Sequence, residues 1–316
     1  MEFVYDGNVD VKSGDIRFDG DVRIGEDVEN SMFVGASGKV FIAGAVQKST
    51  VEAGTSAIIG GNVLSSTVTV GMERILKEEL AKQLNGLVSY LERVNAKILE
   101  IKQDRDVQLT DIDMKEIKEL VRVNLKEDYL DFQHGKFEFI QKAKNYASHL
   151  TSDWELVIEK LYTIFTDTSM TVVRNGEQFT MLLEEARALV KLNLQGRNGD
   201  SLLRLPYATN SVLSCNGSIE VTELGLHNCS VTAKKQVTVE GCCRGGVIVA
   251  SEKVSIKESG STTGVKTVIK TEKSGTITIG LARCGTEIWV GDDVHHICAD
   301  QLGVHARMIE GRLRIN

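Results

Sequence analysis

Hydrophobic residues recur every 17 to 18 positions through the first seventy residues, and the same interval returns near the C-terminus. A repeat unit this short cannot bury its apolar side chains alone and has to stack on its neighbours. The pattern therefore predicts a β-solenoid, a single-stranded parallel β-helix. The first equivalent positions are Ile16, Val34, Val51 and Val68; Val22, Val40 and Ala57; Ile24, Ile42 and Ile59; and Val28, Val46 and Val63.

Within each repeat, apolar and polar residues alternate over three or four positions, as in Val22 to Ile24 and Val40 to Ile42. This alternation is typical of short strands with one face turned inward. Gly, Asp, Asn and Ser between the strands favour tight corners. We assign residues 1–71 to a first solenoid section in which each strand pairs with the strand one repeat away.

The pattern changes at Met72, where leucine, valine and isoleucine begin to alternate at spacings of four and three. This spacing predicts the seam of an amphipathic helix over about 72–103, and so long a seam needs partner helices. Further helices are predicted over about 113–147, 152–166 and 176–194, the last one antiparallel to the first. We therefore assign residues 72–195 to an α-helical coiled-coil insert. The seam residues are Leu80, Leu84, Leu87, Leu91, Val94, Ile98 and Ile101.

After the insert, residues 196–210 contain Gly, Asn, Asp and the single proline, Pro206, and are predicted to be a connector. The repeat then resumes with Leu213, Val231 and Ile248, which are 18 and 17 residues apart. Residues 211–316 are assigned to the second solenoid section. Its last residues, 304–316, alternate like a strand and are expected to cap the stack. Because the repeat is interrupted as a block, an insert spanning 73–205 is expected to be separable from the solenoid.

Composition narrows the function classes. The net charge is −7 and no Lys/Arg run appears, so nucleic acid is not expected as a partner. No apolar stretch approaches the roughly 20 residues of a membrane span, and no signal sequence opens the chain. We expect a cytoplasmic protein. The 6 cysteines lack a C-x-x-C pair, and Cys215, Cys229 and Cys243 are interpreted as small hydrophobic residues inside the coils.

One group of possible metal ligands stands near the C-terminus: His295, His296, Cys298 and His305. A zinc or nickel site would need several of these side chains to converge on one centre. On a strand His295 and His296 point to opposite faces, so they are poorly placed to share a metal. We assign no metal site.

The sequence also gives little support for the enzyme hypotheses. Six-residue spacing in the first section resembles a hexapeptide-repeat acyltransferase, but such enzymes need a histidine base and the solenoid corners offer only His227. A β-helix carbohydrate enzyme needs paired carboxylates in an aromatic groove, whereas Asp292 and Asp293 are adjacent and Trp289 is isolated. No phosphate-binding glycine motif opens a helix. No catalytic or cofactor-binding residue is assigned, and no cofactor is expected.

Two sequence runs carry a resemblance to a known family. They are Gly14-Asp15-Ile16-x-Phe18-x-Gly20-Asp21-Val22-x-Ile24, and Arg244-Gly245-Gly246-Val247-Ile248-Val249-Ala250 continued through Gly264 to Ile269. Together with Thr286-x-Ile288-x-Val290-Gly291 they resemble the bacterial flagellar assembly protein A family over both solenoid sections. The resemblance implies a right-handed solenoid. It also implies association with flagellar assembly or polar placement of flagella, for some members binding of a phosphotransferase-system protein, and no established catalytic residues. Family members usually carry a further N-terminal domain, so this chain is expected to be a short relative or a fragment.

These observations predict a non-enzymatic cytoplasmic scaffold or adaptor that binds partner proteins through the solenoid surface and a protruding helical arm. Two alternatives stay open. The first is a self-polymerising, bactofilin-like cytoskeletal solenoid, because an uncapped coil exposes unpaired strand groups; a homo-oligomer belongs with this alternative. The second is one of the solenoid enzymes considered above.

Overall fold

A computed structural model describes residues 1–125, 128–147, 150–164, 173–194, 201–261 and 265–316. The chain divides into two compact units. One unit contains Met1–Met72 and Asn198–Asn316, and the other contains Glu73–Arg197. The first is built from strands and the second from helices.

The first solenoid section consists of short strands that pair in parallel with strands one repeat away. Three strand positions recur in each coil. The strands are β1 (Glu2–Tyr5), β2 (Ile16–Phe18), β3 (Asp21–Ile24), β4 (Phe33–Ala36), β5 (Lys39–Ile42), β6 (Val46–Gln47), β7 (Thr50–Ala53), β8 (Ser56–Ile59), β9 (Val63–Leu64) and β10 (Thr67–Val70).

The second section continues the same stack with longer strands, several of which run through a corner. They are β11 (Leu202–Thr209), β12 (Val212–Cys215), β13 (Ser218–Ala233), β14 (Gln236–Ala250), β15 (Lys253–Ser259), β16 (Thr267–Thr271), β17 (Thr276–Ala282) and β18 (Thr286–Val290). The pairings between neighbouring strands of this group are parallel.

Register confirms the repeat as the basis of the fold. Each column of equivalent apolar residues is aligned by backbone pairing, so that one inward side chain lies directly over the next. The interior is thereby filled with Val, Ile, Ala and small residues that are almost fully buried. One complete column is Ile16, Val34, Val51, Val68, Leu213, Val231, Ile248, Ile269 and Ile288.

The stack passes directly across the helical insertion. β10 pairs with β7 on one side and with β12 on the other, although β12 follows it by well over a hundred residues. The insertion therefore occupies one corner of a coil. A Cβ placed on Gly71, whose φ is +77°, would lie 3.2 Å from Ser201 Oγ, so the chain leaves and re-enters the solenoid at nearly the same point.

The predicted connector 196–210 needs correction. Residues 195–200 lie outside the described residues, but Leu202–Thr209 form β11, which pairs with β8, β9 and β13. Pro206 obscured this strand in the sequence, because proline removes a hydrogen-bond donor from a sheet. In the structure it stands where the register shifts between Leu205 and Tyr207, a position that tolerates the missing donor.

The last coil pairs with antiparallel strands in the region where the cap was expected. β19 (Asp293–His296) pairs with β18, β20 (Gln301–Ile309) pairs with β17, and β21 (Arg312–Ile315) pairs with β20. These strands begin earlier than the predicted residues 304–316, because β19 already starts at Asp293, and they are three in number. Val304 and Ala306 face inward from β20 and close the apolar core.

The helical unit contains five α-helices and one short 3-10 helix, Leu109–Asp111, among its described residues. The α-helices are α1 (Met72–Arg105), α2 (Met114–Leu125), α3 (Tyr129–Asn145), α4 (Ser152–Ile164) and α5 (Gly176–Leu194). The single helix predicted over 113–147 is thus two helices, and the one predicted over 152–166 is described to Ile164.

The predicted seam of α1 is buried, and it joins a core to which every other α-helix contributes. Thr180 Oγ1 donates a hydrogen bond to Asn95 Oδ1 at 2.9 Å, and Arg187 pairs with Glu92 at 2.7 Å. The residue of α5 has the higher number in the second contact, whereas the residue of α1 has the lower number, so the two helices are antiparallel. A helical insertion is confirmed, whereas supercoiled pairing of α1 and α5 stays a prediction.

Candidate functional site

Outward side chains of the solenoid form columns, just as the inward ones do. Because paired residues on adjacent strands project to the same face, groups one repeat apart come into contact. The Arg23 guanidinium lies 4.6 Å from the Phe41 ring centroid, and the Lys270 ammonium lies 4.7 Å from that of Trp289. Outward side chains of this unit can therefore form ladders, and a site on such a ladder combines residues about one repeat apart in sequence.

The histidine and cysteine group near the C-terminus is distributed over different contacts. His296 Nδ1 lies 3.4 Å from the Glu287 carboxylate, and Cys298 donates a hydrogen bond to the His296 carbonyl at 3.7 Å. His305 stands on β20 within 3.3 Å of the Thr278 hydroxyl, and His295 is half-buried on β19. In the described part of the chain, no three His, Cys, Asp or Glu residues are positioned to hold a metal ion.

Glu287 is the charged centre of this region. A hydrogen bond from Lys266, at 2.9 Å, is the main reason that the pKa of the Glu287 carboxyl lies below its usual value, and Trp289 and His296 add to the effect. The carboxylate is thus ionised at neutral pH beside the Lys266 ammonium. Such an arrangement stabilises the ladder and offers no general acid at neutral pH.

The residues considered for enzyme hypotheses also have separate partners. His227 is exposed on β13, with Nδ1 3.3 Å from the Thr209 hydroxyl one coil away. Asp293 accepts a hydrogen bond from the Leu313 backbone at 3.2 Å, while Asp292 is exposed. Trp289 is stacked under Lys270. These contacts do not assemble the paired groups that either enzyme class requires.

The cysteine interpretation is confirmed for the three interior thiols. Burial raises the pKa of Cys215 to about 11, and it raises those of Cys229 and Cys243 as well. A thiol with a raised pKa is protonated at neutral pH and is a poor nucleophile. Cys229 Sγ also donates a hydrogen bond to the backbone carbonyl two residues before it, that of His227. At the equivalent corners a serine hydroxyl donates in the same way to the carbonyl two residues before it, as seen for Ser49, Ser66 and Ser211.

A cleft of about 430 Å³ lies against the C-terminal cap. Register places Lys253, Thr276, Arg307 and Arg314 directly beside one another on β15, β17, β20 and β21. Thr278, His305 and Asn316 form a second row beside them, and all seven residues line the cleft. We call Lys253, Arg307 and Arg314 the basic row. The described side chains that line this cleft include no Asp or Glu.

Sequence reasoning missed the basic row because its members come from three separate strands of an acidic chain. A partial signal was present in the alternation of Arg312 and Arg314 with apolar residues in the tail, which predicts that both arginines share one face. Nothing in the sequence places Lys253 beside them, since that neighbour is set by the pairing of β15 with β17 and of β17 with β20.

The fold defines the chain as a β-solenoid protein with a helical insertion at one corner. Residues 2–73 match the model of the Flagellar Assembly Protein A (FapA) beta solenoid domain. The first solenoid section is therefore similar to this domain, which agrees with the resemblance found in the sequence there. Searches of curated proteins and of solved structures found no match. None of the described helices has the length and apolar character needed to cross a membrane.

Proposed function

We propose that this protein is a non-enzymatic, cytoplasmic scaffold or adaptor in flagellar assembly or flagellar placement, and that it binds partner proteins through the outer faces of the solenoid and through the helical unit. The family match of residues 2–73 is the observation that carries the proposal, because it points to a role related to flagellar assembly. The finer role follows from the kind of surface that the fold presents.

Two features support a binding role over a catalytic one. The described candidate residues for chemistry are spread over separate contacts, as shown for His227, His296 and Asp293. In addition, stacked strands present rigid ladders of side chains at fixed spacing, and a rigid surface loses little entropy when it binds a partner. A repetitive stack with a separate helical unit offers two kinds of surface to such partners.

A deletion of the gene in the source organism tests this function. Cells without the protein are expected to assemble fewer flagella or to place them wrongly, as counted by electron microscopy, and the full chain supplied in trans should restore the wild-type pattern. A second complementing gene, with residues 73–200 replaced by a short linker, shows whether the helical unit takes part. Normal flagellar number, position and swimming in the deletion strain would contradict the proposal.

Self-assembly is a second candidate, favoured by one observation. Among the described strands, β1 pairs only with β3 and β2 pairs only with β4, so the first coil has an open edge that a strand of another chain can pair with. The opposite end is covered by β19, β20 and β21. One open edge supports pairing of two copies more than a continuous filament. Sedimentation velocity over a range of concentrations distinguishes monomer, dimer and polymer.

A further inference from the structure

The basic row is a concentration of positive charge on a chain whose net charge is −7. Lys253, Arg307 and Arg314 are exposed, and within the described part of the chain none of the three forms an ion pair. Some other outward cations of this unit are paired, as Arg204 is with Glu220 at 2.7 Å and Arg283 with Glu258 at 2.6 Å. Three neighbouring cations therefore repel one another, and no Asp or Glu is among the described residues that line their cleft.

We propose that the cleft along the basic row binds an acidic peptide segment of a partner protein. This inference deepens the proposed function and rests on it in one respect, namely that the protein acts by binding other proteins. The carboxylates of the segment would supply the counter-charge that the solenoid lacks at this face. Arginine is suited to this role because its planar guanidinium donates two parallel hydrogen bonds to one carboxylate.

The length of the row matches a peptide. Adjacent strands lie about 4.8 Å apart, so the three steps from Lys253 to Arg314 cover roughly 14 Å. An extended chain advances about 3.3 Å per residue, so the row fits about four residues of an extended segment. Thr276 within the row, and Thr278 and Asn316 beside it, add hydrogen-bonding groups for the peptide backbone. A single small anion would contact only part of this array.

The chemistry of the lining favours a peptide over nucleic acid. Single-stranded nucleic acid binds most firmly where aromatic side chains stack on its bases, and among the described residues no aromatic ring other than His305 lines the cleft. The cations are also too few to follow a phosphate backbone over several nucleotides. An extended segment rich in Asp or Glu matches the spacing, the charge and the hydrogen-bonding groups together.

Fluorescence anisotropy with the purified full chain tests the proposal. A labelled hexaglutamate peptide is expected to bind at low salt and to weaken as salt rises, whereas a hexaglutamine peptide should not bind. Arg307→Ala combined with Arg314→Ala should weaken hexaglutamate binding about tenfold, as expected for the loss of two exposed ion pairs. The matched control is Lys39→Ala with Lys48→Ala, which removes two exposed cations of the first section and should leave binding unchanged.

Several results would overturn the proposal. These are absent hexaglutamate binding at low salt, equal loss of binding in the control variant, tighter binding of an oligothymidylate of equal charge through the same arginines, and self-association that disappears in the double arginine variant. Circular dichroism and the melting temperature of each variant verify that it folds. Arg307→Lys with Arg314→Lys keeps the charge and loses the paired donors, so its affinity should lie between wild type and the double alanine variant.

The two proposals fail separately. If hexaglutamate does not bind while the gene deletion disturbs flagella, the scaffold stands and its partner uses another surface. If hexaglutamate binds through the basic row while the deletion strain has normal flagella, the cleft stands and the flagellar role is wrong.

Discussion

Replacing residues 73–200 with a short flexible linker is expected to leave the solenoid folded. The coil that ends with β10 and the coil that contains β12 are already paired with each other in register from Thr67 to Val70. Gly71 and Ser201 are close enough for a few residues to connect them. The helical residues also bury their own core, so their removal exposes no column of the solenoid interior.

Extending the same deletion to residue 205 is expected to be much more damaging. It also removes the first half of β11, including Leu203 and Leu205, whose exposed fractions are 0%. Truncating one buried leucine to alanine costs about 2 to 5 kcal/mol, so losing both is expected to cost about 4 kcal/mol or more. That loss is a large part of the 5 to 15 kcal/mol that typically separates folded from unfolded domains.

Urea unfolding followed by far-ultraviolet circular dichroism compares the two deletions. The shorter one should lose the helical signal and keep a cooperative β-sheet transition, while the longer one should unfold at much lower urea or fail to fold. If the shorter deletion does not fold, the helical unit is required by the solenoid and the two units are not separable. If both deletions are equally stable, β11 is not part of the stack.

Three further predictions concern single side chains. Leu91→Asp should lower the melting temperature sharply, because it buries a charge in the helical core. Leu99→Asp, at an exposed position of the same helix, should not lower it. Equal effects of the two substitutions would mean that the seam faces water. Arg283 lowers the pKa of Glu258 below its ordinary value of 4.5, so this carboxylate stabilises the fold above that pH and the contribution disappears as pH falls through the lowered pKa. Arg283→Met should therefore be less stable than wild type at neutral pH, and urea titrations should show this difference shrinking as the pH is lowered below 4.5. A difference that does not change with pH would contradict the charge effect. With a disulfide reagent, native protein should show fast reaction at the exposed thiols and none at buried Cys215 until urea is added; early loss of Cys215 would show that the coil opens there. The exposed thiols are Cys284 and Cys298.

Elemental analysis of the purified protein tests whether the C-terminal histidine and cysteine group binds a metal. With His296 and His305 in contact with different strands, we expect zinc and nickel well below one equivalent. A tightly bound stoichiometric metal that is lost in His296→Ala with Cys298→Ser would mean that the C-terminal group rearranges into a site, and a chelator should then also lower stability.

The repeat and the helical seam were readable from the sequence because both are local. Alternation over three or four residues decides which side chains of a strand face inward, and a spacing of 17 to 18 residues decides which positions stack, as for Val34 and Val51. The alternating spacing of four and three residues in α1 likewise decides which face of the helix is buried, the face that carries Leu84 and Leu91. These patterns follow from the geometry of a single strand or helix, so no knowledge of distant neighbours is needed.

Other features depended on the tertiary structure. β11 carries a proline and a register shift, so its place in the stack was visible only from its pairing with β8 and β13. The alignment of Lys253 with Arg307 and Arg314 depends on three successive pairings, one parallel and two antiparallel, which are decided by how the last coil closes. The repeat interval fixes register only within the parallel coils; where it ends, in the antiparallel cap, register depends on which strands the closing turns and the core bring together.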